Sequence, residues 1–209
     1  MKKLESSLTN MVLVLTGVAV IMGGILALVN HMTEGPINAQ KAKTLADGIK
    51  TVMCVSDITV SRTDTVKQND AKGKELTYII YQTQDAQGKD LGAAVESTTG
   101  GFGGDLKVLV GFDSEGNILG YTLLEHAETP GLGAKADKWF QKGEKGDIIG
   151  KNPKEPLTVS KDGGQVDAIT ASTITSRAFL LAVNRAYNAY KDIPATDAET
   201  GATKQVKEE

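Results

Sequence analysis

Leu106–Leu124 reads LKVLVGFDSEGNILGYTLL, two runs of strand-forming residues separated by Asp113, Ser114, Glu115, Gly116 and Asn117. Asp, Asn and Ser bond their own backbone in tight turns and Gly enters them without steric cost, so the segment predicts a hairpin of two antiparallel strands. Working outward, Thr77–Gln82 (TYIIYQ) and Gly92–Glu96 (GAAVE) supply two more short strands upstream. Downstream, Ser176–Lys191 (SRAFLLAVNRAYNAYK) places Phe179, Leu180, Val183, Ala186, Tyr187 and Tyr190 at helical spacing, an amphipathic helix that can lay its apolar stripe on the sheet. Lys135–Gln141 (KADKWFQ) reads as a short helix whose Trp139 and Phe140 anchor the core, and Cys54 as a small buried hydrophobe. Val60–Lys74 is polar and aperiodic, and is expected to be irregular surface structure. The expected fold class is α+β: an antiparallel sheet with packed helices behind one N-terminal membrane helix.

That membrane helix is Met11–Val29, MVLVLTGVAVIMGGILALV, without a charged residue. At 1.5 Å per residue it spans about 28 Å, the hydrocarbon thickness of a bilayer. A cleaved signal peptide is usually shorter and ends in a small-x-small site, so an uncleaved anchor is the expectation. Lys2 and Lys3 precede the span and no lysine follows until Lys41, which places the N-terminus in the cytoplasm and the main domain outside it. Ala19, Gly23 and Ala27 form a small-residue stripe, read equally well as a helix–helix contact or as ordinary membrane-helix composition. Thr33–Pro36 reads as a turn leaving the bilayer, and Ile37–Met53 as a connecting helix.

Composition narrows the chemistry. The 209 residues are 40% hydrophobic, and 23 Lys+Arg against 26 Asp+Glu leave a net charge of -3, which argues against a nucleic-acid partner. One cysteine can neither close an internal disulfide nor ligate an iron–sulfur cluster, and two histidines, His31 and His126, do not make a zinc site. No metal site is expected, and any redox cofactor has to be organic.

The most unusual stretch is Asp167–Ser176, DAITASTITS, in which Thr170, Ser172, Thr173, Thr175 and Ser176 crowd ahead of the amphipathic helix. Ser and Thr are common helix N-caps. A helix start also presents free N–H groups and the positive end of its dipole, which attract phosphate. The residues alone leave both readings open.

DAITASTITSR resembles the flavinylation motif D-x-[IS]-[ST]-G-A-T-x-T-S of the FMN-binding domain family, which includes RnfG-type subunits of Rnf electron-transport complexes and NqrC-type subunits of sodium-pumping quinone reductases. Asp167, Thr170, Thr173, Thr175 and Ser176 match, and the family's modified threonine falls on Thr173. Ala171 stands where glycine is usual and Ser172 where alanine is usual; the Cβ of Ala171 matters if the backbone there needs positive φ. His126–Lys135 (HAETPGLGAK) resembles the family's H-x-E-T-P-G-L-G segment, and Gly101–Asp113 (GFGGDLKVLVGFD) its G-[YF]-G-G element leading into a strand.

The resemblance implies FMN held covalently by a phosphoester to Thr173, installed by a magnesium-dependent flavin transferase that uses FAD. It implies cofactor-binding roles for Asp167, Thr170, Ser172, Thr175 and Ser176, and for Glu128, Thr129, Gly131 and Leu132 near the flavin. No catalytic acid or base is expected, because the flavin is the redox centre. The implied protein relays electrons among the other membrane subunits of an Rnf-type ferredoxin:NAD oxidoreductase complex coupled to ion translocation, in a bacterial cytoplasmic membrane with its main domain periplasmic. The competing readings are an anchored binding or assembly module without flavin, and an NqrC-like or other flavin electron-transfer subunit. The expected domain plan is a stub and membrane helix over 1–32, a connecting helix and polar segment over 33–75, an FMN-binding domain over 76–194 and a disordered tail over 195–209.

Overall fold

The structure, a computed structural model, describes residues 8–69, 73 and 75–191. Lys2, Lys3 and the tail 195–209 lie outside the described residues. Residues 1–44 and 45–209 form two compact units.

The first unit holds most of helix α1, Leu8–Met53. The apolar side chains between Met11 and Val29 are exposed all round, Leu15 at 73% and Leu26 at 72%. A helix apolar on every face and buried against nothing is suited to lipid, and this one is long and apolar enough to cross a membrane. Thr33–Pro36 is not a turn: the helix runs through it. Proline removes one backbone donor from the helix, and the Thr33 hydroxyl bonds back to the carbonyls of Val29 and Asn30.

The second unit is built on a five-stranded meander, β1 (Ile58–Asn69), β2 (Glu75–Asp85), β3 (Asp90–Gly100), β4 (Asp105–Phe112) and β5 (Ile118–His126), in spatial order β1-β2-β3-β4-β5. Every neighbouring pair is antiparallel. The hairpin at Asp113–Asn117 is present, closed by Asp113, whose Oδ1 accepts the N–H groups of Glu115, Gly116 and Asn117. Within Val60–Lys74, the part Val60–Asn69 is not irregular, while residues 70–72 and 74 lie outside the described residues. Ile58–Asn69 is an edge strand in register with β2 as far as Asn69 opposite Glu75. Its mostly exposed, polar side chains hid the strand, although Ile58, Thr59, Val60, Thr63, Thr65 and Val66 are β-branched.

Both faces of the sheet are covered. On one, Leu106, Val108, Val110, Phe112 and Ala136 of the one-turn helix α2 (Ala136–Trp139) share a core with Phe179, Leu180, Val183 and Ala186 of helix α3 (Thr173–Tyr190). Phe140 stacks on Phe179 with centroids 4.3 Å apart, and Tyr121 meets Phe179 edge-on at 4.7 Å. Burial pushes the Tyr121 phenol up from its ordinary pKa, so it stays protonated and donates to the Ala136 carbonyl at 2.7 Å. On the other face the end of α1 packs Ile49, Val52 and Met53 against Leu109 and Tyr81. Gly111 and Gly120 are paired across β4 and β5, and a Cβ on Gly111 would overlap the Val52 carbonyl, so glycine is what lets the helix end approach. The second unit therefore begins at Leu45, and the end of α1 and β1 belong to it rather than to a connector. Cys54 is not buried: it sits just past α1 at φ 56, exposed, with its thiol near the Leu119 carbonyl at 3.5 Å.

Candidate functional site

Helix α3 starts one turn earlier than the apolar pattern marks, so Thr173, Thr175 and Ser176 lie inside its first turn instead of ahead of it. The first intrahelical bond runs from the Ser176 N–H to the Ser172 carbonyl at 3.0 Å. The N–H groups of Thr173, Ile174 and Thr175 therefore precede the helical ladder. Ser172 is the N-cap residue, but its side chain makes no capping bond. Ala171 just before it has φ 60, the left-handed region where a Cβ is unfavourable.

This first turn forms one wall of a cleft of about 380 Å³ lined by Phe102, Glu128, Thr129, Leu132, Gly133 and Ala171–Thr175. That volume is within the range of small-molecule sites. The opposite walls come from the glycine-rich β3–β4 loop and from the segment after β5. Gly101 donates to the Gly104 carbonyl at 2.8 Å, a tight turn that leaves Phe102 67% exposed at the cleft.

Glu128 holds the walls together. It is only 6% exposed; Oε1 accepts from the N–H of Phe102 at 2.7 Å and of Gly103 at 3.3 Å, and Oε2 accepts from the Thr175 hydroxyl at 2.8 Å. A Cβ at Gly101 or Gly133 would overlap this carboxylate. These glycines serve close packing around Glu128.

The hydroxyls have different environments. Thr175 and Ser176 are 1% and 0% exposed; Ser176 Oγ donates to the Ser172 carbonyl at 3.0 Å and accepts from the Ile169 N–H at 2.9 Å. Both are committed internally. Ser172 is buried, and Thr170 is exposed and outside the cleft lining. Thr173 is half-buried, lines the cleft, and its Oγ1 accepts a hydrogen bond from Lys161 Nζ at 3.2 Å.

Of the residues singled out from sequence, Glu128, Thr129, Leu132, Ser172, Thr173 and Thr175 converge on the cleft. Gly131 is not part of its lining and turns the chain beside it at φ 77. Asp167, Thr170 and Ser176 lie outside the lining. The Asp167 carbonyl accepts from Trp139 Nε1 at 2.8 Å, and its carboxylate accepts from the Ser160 hydroxyl at 3.2 Å. Trp139 is half-buried, packs against the core and is tied to the motif, while Phe140 is fully buried in that core. Sequence reasoning gave no role to Lys161, which approaches Thr173 from a separate loop. No group of three or more His, Cys, Asp or Glu suited to a metal occurs among the described residues.

The donor set suits a phosphate joined to a planar apolar group. The helix start, with its free amides, forms one side of the cleft, the Lys161 ammonium donates to the Thr173 hydroxyl there, and Phe102, Leu132 and Ile174 provide apolar lining.

Comparison with known proteins bears on the same residues. The FMN-binding domain family model matches residues 101–188. The G-type (RnfG) subunit of the ion-translocating oxidoreductase complex of Vibrio cholerae serotype O1 (strain M66-2) is 33% identical over 180 residues, covering 83% of this chain and 86% of that one. Proteins of the same name are 40% identical over 130 residues in Aliivibrio fischeri (strain MJ11), covering 60% and 61%, and 34% identical over 175 residues in Shewanella oneidensis, covering 80% and 82%.

Proposed function

The chain belongs to the RnfG family of ion-translocating oxidoreductase complex subunits, and from that premise we propose that it is the membrane-anchored FMN subunit that passes electrons between other subunits of an Rnf-type ferredoxin:NAD oxidoreductase complex coupled to ion translocation. The flavin is joined through its phosphate to Thr173. One observation carries this attachment: among the motif hydroxyls lining the cleft, Thr173 is the one that is not buried, while Thr175 gives its proton to a buried carboxylate.

When bound, FMN supplies the electron-accepting and electron-donating ring. The chain supplies its position. Thr173 fixes the phosphate end beside the amides of the first turn of α3, where a negative diester is favoured. Phe102 and Leu132 offer apolar surface to the ring, and Glu128 keeps the glycine loop and α3 at a set separation. No side chain is asked to move a proton. Donor and acceptor are other subunits, since this chain carries neither cluster ligands nor a dinucleotide fingerprint.

Helix α1 anchors the chain with its N-terminus in the cytoplasm and the flavin domain on the far side of the membrane, as the flanking lysines favour. A separate flavin transferase then loads the cofactor there. The test is in-gel flavin fluorescence of the chain co-expressed with a flavin transferase: Thr173→Ala should be dark and still membrane-bound, and Thr175→Ala should remain fluorescent. A fluorescent Thr173→Ala band would refute the attachment.

A further inference from the structure

The short 3-10 turn Ser160–Asp162 sends two of its residues to the flavinylation motif and the third to Arg177 just after it. Ser160 Oγ donates to the Asp167 carboxylate at 3.2 Å, and Lys161 Nζ donates to Thr173 Oγ1 at 3.2 Å. Asp162 accepts two bonds from Arg177, at 2.9 and 2.7 Å. The turn is itself fixed. Ser160 N–H reaches the Val166 carbonyl at 2.8 Å, Val166 N–H reaches that of Thr158 at 3.2 Å, and Val159 and Val166 are each 1% exposed. Gly163 closes the turn at φ 82, and a Cβ on Gly164 would overlap Thr158. Lys161 therefore leaves a rigid backbone, with its two neighbours already engaged, and its ammonium meets the oxygen assigned to the flavin.

We propose that Lys161 is a further residue of the flavin-attachment reaction: it stabilises negative charge on Thr173 Oγ1 as that oxygen is phosphorylated, and then remains as the counter-ion of the phosphodiester. This inference rests on the reading that Thr173 carries the flavin. In the step, the Thr173 hydroxyl gives its proton to a base of the transferase, and its oxygen bonds to the flavin-side phosphorus of a flavin adenine dinucleotide. The bond from that phosphorus to the bridging oxygen breaks, and AMP leaves with that oxygen and the electron pair. Nothing is oxidised or reduced. An ammonium that already donates to Oγ1 favours that oxygen's anionic form over its neutral one, and charge-assisted bonds to phosphate oxygens are the strong class. A lysine that merely decorated the surface would have no effect on this chemistry.

The experiment uses the full chain in detergent with a purified flavin transferase, FAD and Mg²⁺, and measures the initial rate of flavin incorporation against chain concentration. Lys161→Met should lower kcat by roughly tenfold or more, in line with removal of a donor from a charge-developing oxygen. KM and the melting temperature of the flavin-free chain should be unchanged, and Lys161→Arg should restore most of the rate. An unchanged kcat, or a change in KM alone, overturns the proposal. A wild-type chain that takes up no flavin, or takes it up equally as Thr173→Ala, instead overturns the attachment reading beneath it, so the two failures are distinguishable.

Discussion

The Thr175 hydroxyl donates to the Glu128 carboxylate across 2.8 Å, joining the first turn of α3 to the segment after β5. The other carboxylate oxygen takes the N–H groups of Phe102 and Gly103, so one buried side chain fixes three walls of the cleft. This contact also distinguishes two threonines that the sequence offers side by side, since it commits the hydroxyl of one and leaves the other facing the cleft.

Removing Glu128 should therefore loosen the site from within. Glu128→Ala leaves a buried hydroxyl and two loop amides without their acceptor, and is expected to lower stability by about 2–3 kcal/mol. Chemical denaturation of the flavin-free chain measures this, and hydrogen exchange at Phe102 and Gly103 should rise in parallel. Wild-type exchange at both amides would contradict the assigned contact.

Gly133→Ala forces a methyl group toward Glu128 and against Thr175 Oγ1. Overpacking of this kind costs about 1–3 kcal/mol. The substitution is expected to lower both the melting temperature and the extent of flavin loading, whereas Gly131→Ala, with open space around it but φ 77, should show backbone strain alone.

Ala171→Gly should act in the opposite sense. Ala171 stands at φ 60, where an L-residue carries a penalty of about 1–2 kcal/mol, partly offset because glycine makes the unfolded chain more flexible. A small gain in melting temperature and faster flavin loading are expected. A loss of stability would mean that the alanine methyl makes a compensating contact.

The Asp113 turn carries a pH dependence of known sign. Its carboxyl is partly desolvated, which raises its pKa, but bonds from the Asn117 side chain and the amides of Asn117, Gly116 and Glu115 outweigh this and hold it below its ordinary 3.8. The contribution is fully present above 3.8 and is lost as the pH falls through the lower folded value. The stability difference between wild type and Asp113→Asn should shrink over that acid window and stay constant above it; thermal melts across pH check this.

The hairpin and α3 were legible because each carries a strong local signal, turn residues between apolar runs in one and a helical stripe in the other. The edge strand β1 was not, because strands with little buried surface show little alternation. The unbroken path of α1 through Pro36 was obscured by a residue that usually marks an end. The start of α3 at Thr173 was hidden because the apolar stripe begins only at Phe179, leaving a hydroxyl-rich first turn with no periodic mark. In the site, Glu128, Thr129, Leu132, Ser172, Thr173 and Thr175, singled out by type and spacing, line one cleft, whereas Asp167, Thr170, Gly131 and Ser176 do not. The bond from Lys161 to Thr173 was not legible, since a lysine on a separate loop carries no sign of its partner until the chain is folded.

The central claim is the bond at Thr173, and peptide mass mapping of the chain purified from its native membrane tests it most directly. An FMN-sized addition confined to the peptide containing Thr173, and fragmenting at that residue, is the predicted result. An unmodified peptide from an otherwise intact complex, or an addition on Thr175, would contradict it.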